Sequence, residues 1–207
     1  MSKLAIVKVK LDRDVNCYVV SCASTKEAVI IDPGLPAEKI VEQATGLKVK
    51  FILATHCHPG HVGGKDDVKA VTGGETALHS ADAKQFLRSA DRYLIDGDEL
   101  EFGEFKVSVI HTPGHTPGSQ CLLVNGRLIS GDTLFLDGCG RTDLPGSDPE
   151  EMYRTLTHRL SDISDDTRLF PGHLYSADPS APMGDVRQHN RALVPASAEE
   201  WLAMFAR

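Results

Sequence analysis

The sequence predicts an α/β fold built as a single domain over residues 1–207. Three observations lead there. Short apolar runs of strand length alternate with segments whose apolar residues recur at helical spacing. A chain of 207 residues suits one domain that buries about 70% of its unfolded surface without disulfide staples. Its 41% hydrophobic and 25% charged residues are the balance of an ordinary globular protein.

Taken in order, Met1 to Lys10 alternates apolar and charged residues, a strand pattern and not a secretory leader. Leu4–Val7, Cys17–Val20 and Ala28–Ile31 read as strands. Asp32-Pro33-Gly34 closes the third, and a helix follows with Pro36 at its first position. Ala37, Ile40, Val41 and Ala44 share a face of that helix and Gly46 ends it. Lys48 to Ala54 is a buried strand that runs into Thr55-His56. Ser80 caps a short helix through Leu87, and Phe105 to Ile110 is a strand that empties into His111-Thr112-Pro113-Gly114-His115. Gln120–Val124 and Arg127–Ile129 form a hairpin about Asn125-Gly126, and its second strand delivers Gly131-Asp132. Asp148-Pro149-Glu150-Glu151 is a capping box opening a helix with Met152, Leu156 and Leu160 on one face. Thr167–Phe170 is a last strand, ending at Pro171-Gly172-His173. Ser197 caps a terminal helix whose Trp201, Leu202 and Phe205 read as core, although Met183, Trp201 and Phe205 are also candidates for a substrate mouth or subunit contact.

Composition narrows the function. A net charge of −7 and a pI of about 5.7 argue against nucleic acid as a partner. No apolar run reaches the roughly 20 residues of a membrane span, so no membrane partner is expected. The five cysteines are odd in number and lack a C-x-x-C pair, which argues against a disulfide framework and for a reducing, cytoplasmic location. Cys57 and Cys139 read as small fillers and not as nucleophiles.

Four predicted strands carry polar residues at their C-terminal ends: His56-Cys57-His58 with His61, then His115, Asp132 and His173. Strand ends fix a side chain while the loop stays accessible, which is where α/β scaffolds place chemistry. Imidazoles with one carboxylate suit zinc or iron, whereas calcium and magnesium take all-oxygen shells. The pattern predicts a metal site.

Thr55-His56-Cys57-His58-Pro59-Gly60-His61 resembles the T-H-x-H-x-D-H motif of the metallo-β-lactamase superfamily. His115, Gly131-Asp132 and Pro171-Gly172-His173 resemble its remaining ligand motifs, in order, so that the likeness runs from about Asn16 to His173. It implies an αββα four-layer sandwich of two mixed β-sheets flanked by helices, with the metal site at one edge of the sheets. His111 to Ser119 and Gly138 to Asp143 are similar to the glyoxalase II-like enzymes and the persulfide dioxygenases. Leu144 to Glu150 and Pro171 to Tyr175 are similar to small bacterial thioester hydrolases, including those that act on acyl carrier proteins.

By that resemblance His56, His58 and His115 hold one metal, Asp132 bridges as the catalytic carboxylate, and His61 and His173 hold a second. Arg141 and Tyr175 face the thiol part of the substrate; the bland alternatives are a loop-bracing salt bridge for Arg141 and packing beneath the His173 loop for Tyr175. The implied cofactor is one or two Zn2+ ions, with Fe2+ or Mn2+ as alternatives. The motif departs at Gly60, where the family has an aspartate that ligates the second metal. Loss of that carboxylate predicts weaker second-metal binding. Three outcomes stay open: a dinuclear site with solvent in the gap, one metal on His56, His58, His115 and Asp132, or lost or redirected catalysis.

The function these readings predict is metal-dependent hydrolysis of an acyl thioester held on a small thiol, coenzyme A or a carrier protein. A metal brings the pKa of its water to about 7 and polarises a carbonyl. A thiol of pKa about 8.5 leaves without much help, so a thioester is the substrate least affected by Gly60. One alternative is a persulfide dioxygenase with iron on His56, His115 and Asp132. The other is a non-catalytic binder on the same scaffold. The 34 residues after His173 are too few for the full glutathione-gripping extension of glyoxalase II. A homodimer is a further expectation.

Overall fold

The computed structural model describes residues 2–86, 88–175, 178–195 and 197–205, and the expected end of the Ser80 helix at Leu87 lies outside them. The chain opens with β1 (Leu4–Lys10), β2 (Asn16–Cys22), β3 (Glu27–Ile31), α1 (Ala37–Gln43) and β4 (Lys48–Leu53). Then come α2 (Pro59–Val62), α3 (Lys65–Thr72), β5 (Glu75–His79), α4 (Ser80–Phe86) and β6 (Arg92–Leu94). The second half runs β7 (Glu99–Phe102), β8 (Phe105–His111), β9 (Gln120–Val124), β10 (Arg127–Gly131), α5 (Pro149–Arg154) and β11 (Arg168–Pro171). It closes with β12 (Ala181–Pro182), α6 (Met183–His189) and α7 (Ala198–Phe205).

Two six-stranded sheets result, one ordered β1 to β6 and the other β12-β11-β10-β9-β8-β7. Both are mixed. β3 to β6 are parallel neighbours, as are β10 and β11, and the remaining pairs are antiparallel. Strand residues point alternately to the two faces of a sheet, and here both faces are covered. Tyr18, Val20, Val29 and Ile31 pack between the sheets against Val107, Val109, Leu122 and Ile129. Their neighbours Cys17, Val19 and Ile30 turn outward beneath Ile40 of α1 and Val68 of α3. On the other side Cys121, Leu128 and Leu169 meet Met152, Leu156, Met183 and Trp201. Burial on both faces is why the strands read as continuous apolar runs.

Met183 and Trp201 are buried in that outer layer, and Phe205 stacks on Trp201 at 4.9 Å, so the role these residues take is packing. Pro36 stands one residue earlier than expected: it is the extended N-cap residue, and α1 begins at Ala37. The Asn125-Gly126 turn has φ of 45° and 72°, the left-handed pair that suits a two-residue hairpin. Asp148 accepts hydrogen bonds from the backbone amides of Glu150 and Glu151, with Pro149 in the first turn. The local pattern does not signal α2, α3, β5, β6, β7, β12 or α6. α3 buries only Val68 and β6 has three residues, so neither shows a full period. Among the described residues, no helix is long and apolar enough to cross a membrane.

Register positions the chemistry. Ile31 pairs with Leu53 in the parallel β3–β4 ladder, which sets Asp32 beside Thr55. Gly131 pairs with Pro171 in β10–β11, which sets Asp132 beside His173. The sheets are laced at this edge by Tyr18 Oη and Asn16 Nδ2, which donate to the Pro171 carbonyl at 2.7 and 3.1 Å.

Candidate metal centre

Each predicted ligand follows the end of a strand or the first turn of a helix, and the tertiary structure brings all six together. Thr55 anchors the first group: its amide donates to Asp32 Oδ1 at 2.7 Å and its hydroxyl to Asp32 Oδ2 at 2.8 Å. With that hydroxyl proton committed, Thr55 Oγ1 accepts from His56 Nδ1 at 3.1 Å, so the lone pair of His56 lies on Nε2. His61, on α2, donates from Nδ1 to Asp32 Oδ2 at 3.0 Å, which frees Nε2 in the same way. His115 donates from Nδ1 to the Arg141 carbonyl at 2.8 Å. One buried carboxylate and one carbonyl thus fix three imidazole tautomers, the outer bonding characteristic of metal-ligating histidines.

The free nitrogens converge. One atom each from His56, His58 and His115 lies within 4.8 Å of the others, as does one each from His56, His61 and Asp132. His58 Nδ1 is 3.0 Å from His115 Nε2, and His61 Nε2 is 3.4 Å from His173 Nε2. Asp132 lies between the two groups, 3.5 Å from His61, 3.6 Å from His115 and 3.4 Å from His173. His56 Nε2 and Asp132 Oδ1 are buried without a hydrogen-bond partner among the described residues. Buried polar atoms normally find one. Lone pairs aimed at a common centre fit a divalent cation better than they fit one another.

The electrostatics agree with that donor set. Burial holds the His56 and His115 imidazoles below their ordinary pKa and brings His58 down to about 4, so all three are neutral donors near pH 7. Burial opposes ionisation of Asp132, but the surrounding His61, His173, His56 and His115 outweigh it and hold the carboxyl well below the usual range. For His61 burial is likewise outweighed, by Asp132 and Asp32, and its pKa is raised.

Gly131 and Gly172 shape the floor. Gly131 has φ of 51°, and a Cβ there would stand 2.1 Å from Thr55 Oγ1; one on Gly172 would stand 2.6 Å from Asp132 Oδ1. Gly60 differs, because a Cβ there meets only Val15 Cγ2, at 3.2 Å.

The centre opens into a cavity of about 930 Å3 whose apolar wall includes Val15, Phe86, Phe135 and Leu144. Arg141 lies on its border, where the guanidinium pairs with Asp143 at 2.9 and 2.8 Å, and its backbone carbonyl orients His115. Tyr175 stacks on His173 with ring centroids 5.5 Å apart, meets Phe135 edge-on, and is 66% exposed, so it shields His173 from the cavity side and does not lie beneath its loop. Cys57 is buried and its thiol pKa is pushed up by that burial, in keeping with a filler.

Sequence reasoning missed two buried carboxylates. Asp32 follows a strand like the ligands and was legible by that rule. Asp82 accepts from the amides of Cys57 and Gly118 and from Thr116 Oγ1, at 2.9, 2.6 and 2.9 Å, and so pins the loops of His58 and His115 together. In sequence it is one more acid in the first turn of a helix, which gives no sign of burial.

The model of the Metallo-beta-lactamase superfamily matches residues 11–173. The hydroxyacylglutathione hydrolase of Rhodospirillum rubrum is 37% identical over 180 residues, which cover 85% of this chain and 68% of that protein. The "probable polyketide biosynthesis zinc-dependent hydrolase BaeB" of Bacillus velezensis is 32% identical over 179 residues, covering 84% and 79% respectively. The crystal structure of ETHE1 from Myxococcus xanthus superposes with a TM-score of 0.88 at 26% identity, over 97% of this chain and 89% of that one.

Proposed function

This chain belongs to the metallo-beta-lactamase superfamily, and from that premise we propose that it is a metal-dependent hydrolase of acyl thioesters. The observation that carries the proposal is the pair of buried, partnerless donor atoms on His56 and Asp132, with the Nε2 atoms of His61 and His173 beside them, at the foot of an apolar-walled cavity. His56, His58 and His115 would hold one ion, with Asp132, His61 and His173 beside it. Zinc is the first choice for that donor set, and iron or manganese the alternatives. When bound, such an ion supplies an acidified water and an electrophile for a carbonyl oxygen.

The rest falls to the chain's own residues. Asp32, Thr55 and the Arg141 carbonyl fix the imidazole tautomers, so the donors need no reorganisation when substrate arrives. Asp132 stays ionised and orients the attacking water. Val15, Phe86, Phe135 and Leu144 give the acyl group an apolar bed and keep bulk water away from it. Water adds its oxygen to the acyl carbon, the C–S bond breaks, and the departing sulfur takes up a proton.

The leaving group favours a thioester. The carboxyl side chains among the described residues bordering the cavity are Asp132, held ionised, and Asp137, which lies 3.6 Å from Arg191. Asp132, so held, is not an acid for a poor leaving group, and a thiol of pKa about 8.5 needs none. The names of two relatives support the reading, one a zinc-dependent hydrolase and one a hydrolase of an acylated thiol. A carrier-bound or small-molecule acyl thioester in the cytoplasm is the substrate we assign. The test is a panel of acyl thioesters offered to metal-replete protein. Hydrolysis that a chelator abolishes and zinc restores is expected. No turnover, with oxygen uptake on persulfides instead, would overturn the assignment.

A further inference from the structure

The rim of the cavity reverses the sign of the protein. The chain carries a net charge of −7, yet Arg13, Arg88, Arg141 and Arg191 border the cavity against two aspartates, Asp132 and Asp137. Two of these arginines are committed, Arg141 to Asp143 and Arg191 to Asp137. Arg13 and Arg88 have no hydrogen-bond or ion-pair partner for their guanidinium groups among the described residues. They approach the metal centre from different sides. Arg13 lies two residues before Val15, whose backbone bridges to His173. Arg88 lies two residues after Phe86, whose ring is 6.2 Å from that of His58.

An unpaired guanidinium on a rim is a planar set of donors for an anion, and it suits phosphate because two N–H groups meet two oxygens. The net charge of the molecule repels a polyanion, but that repulsion is screened beyond about 8 Å at physiological salt, so the local rim decides entry. Gly60 acts in the same direction, since it leaves the cavity floor one carboxylate short of the family motif. Resting on the thioester reading above, we propose that the thiol half of the substrate carries phosphate and that Arg13 and Arg88 are the residues that select it. The acyl half lies against the apolar wall. Coenzyme A and the phosphopantetheine arm of a carrier protein share this chemistry.

The test keeps the acyl group and thioester constant and varies the handle. Butyryl-coenzyme A, butyryl-phosphopantetheine on a carrier protein, and the uncharged butyryl-N-acetylcysteamine are compared with metal-loaded wild type, Arg13→Gln, Arg88→Gln and the double variant. We expect kcat/KM for the phosphate-bearing substrates to fall about fivefold per arginine and roughly 20-fold for both, and to fall with added salt. The uncharged thioester should be turned over equally by all four proteins. Preference for the free coenzyme or for the carrier identifies the source of the phosphate, and either supports the proposal. Equal losses on charged and uncharged substrates, or no loss on either, would overturn it. Calorimetric binding of S-butyl-coenzyme A against S-butyl-pantetheine separates the two readings, because neither thioether is hydrolysed. Phosphate-dependent binding that needs both arginines, without thioester turnover, would refute the hydrolase and leave the anion rim standing. Turnover without phosphate preference would do the reverse.

Discussion

The Asp32 carboxylate, fully buried, accepts from the Thr55 amide, the Thr55 hydroxyl and His61 Nδ1, so each of its hydrogen bonds serves the candidate metal centre. An Asp32→Asn variant keeps the backbone, since asparagine tolerates the φ of 58° found there, but turns a donor toward groups that already donate. Metal affinity is expected to fall about 10- to 100-fold, read by competition with a chromophoric chelator while far-UV circular dichroism is unchanged. Unaltered affinity would reduce Asp32 to a loop brace. Gly60 offers the converse experiment. Because a Cβ there meets only Val15 Cγ2, Gly60→Asp should fold and raise metal content from about one toward about two ions per chain. Wild-type protein that already binds two ions with equal affinity would sink the idea that the missing carboxylate matters.

At the scale of elements, α4 carries more than its short length suggests. Asp82 in its first turn holds the Cys57 and Gly118 amides and the Thr116 hydroxyl. Asp82→Ala leaves two backbone N–H groups buried and unpaired, and should cost about 2–4 kcal/mol in urea melts of the metal-free protein; a loss near zero would mean water replaces the carboxylate. The residue before α4, His79, accepts from the Ala81 amide at 3.3 Å and stacks on His111 at 4.0 Å. Burial, reinforced by His111, brings its pKa down to about 4. Its native form is neutral while the unfolded chain takes a proton below about 6.5. The stability it contributes is therefore full above pH 6.5 and is lost as the pH falls toward 4. His79→Asn retains an acceptor and removes the titration, so its urea midpoint should fall less between pH 7 and pH 4.5 than that of wild type. Parallel curves would place the acid sensitivity elsewhere.

The whole molecule is two sheets joined by a common core and, at one edge, by the ligand set. His56, His58 and His61 follow the β4 end of one sheet, whereas His115, Asp132 and His173 follow strands of the other. An ion bound across them staples the sheets and stabilises only the folded chain. At a free metal concentration of about 1,000 Kd that linkage amounts to about 4 kcal/mol, so stripping the metal should lower Tm by roughly 10 °C. A calorimetric scan of apo and zinc-loaded protein checks it. Identical Tm values would mean that the two sets of loops do not share an ion.

The candidate donors are legible in the sequence because their signal is local. A strand end, a residue type and a short spacing are read within a few positions of each other, and the same holds for the Asn125-Gly126 turn and the Asp148 cap. Local signals of this kind carry the α/β alternation, the six candidate donors and the departure at Gly60. Which loops meet is set by the packing of the folded chain. Asp32 reaches Thr55 across 23 positions because β3 and β4 pair in parallel, Asp82 reaches Gly118 across 36, and Arg13 and Arg88 share a rim because the β1–β2 and β5–β6 connections of one sheet both border the cavity. Contacts of that range depend on strand order and register, which the packing of the complete core selects, so no short stretch of residues carries them.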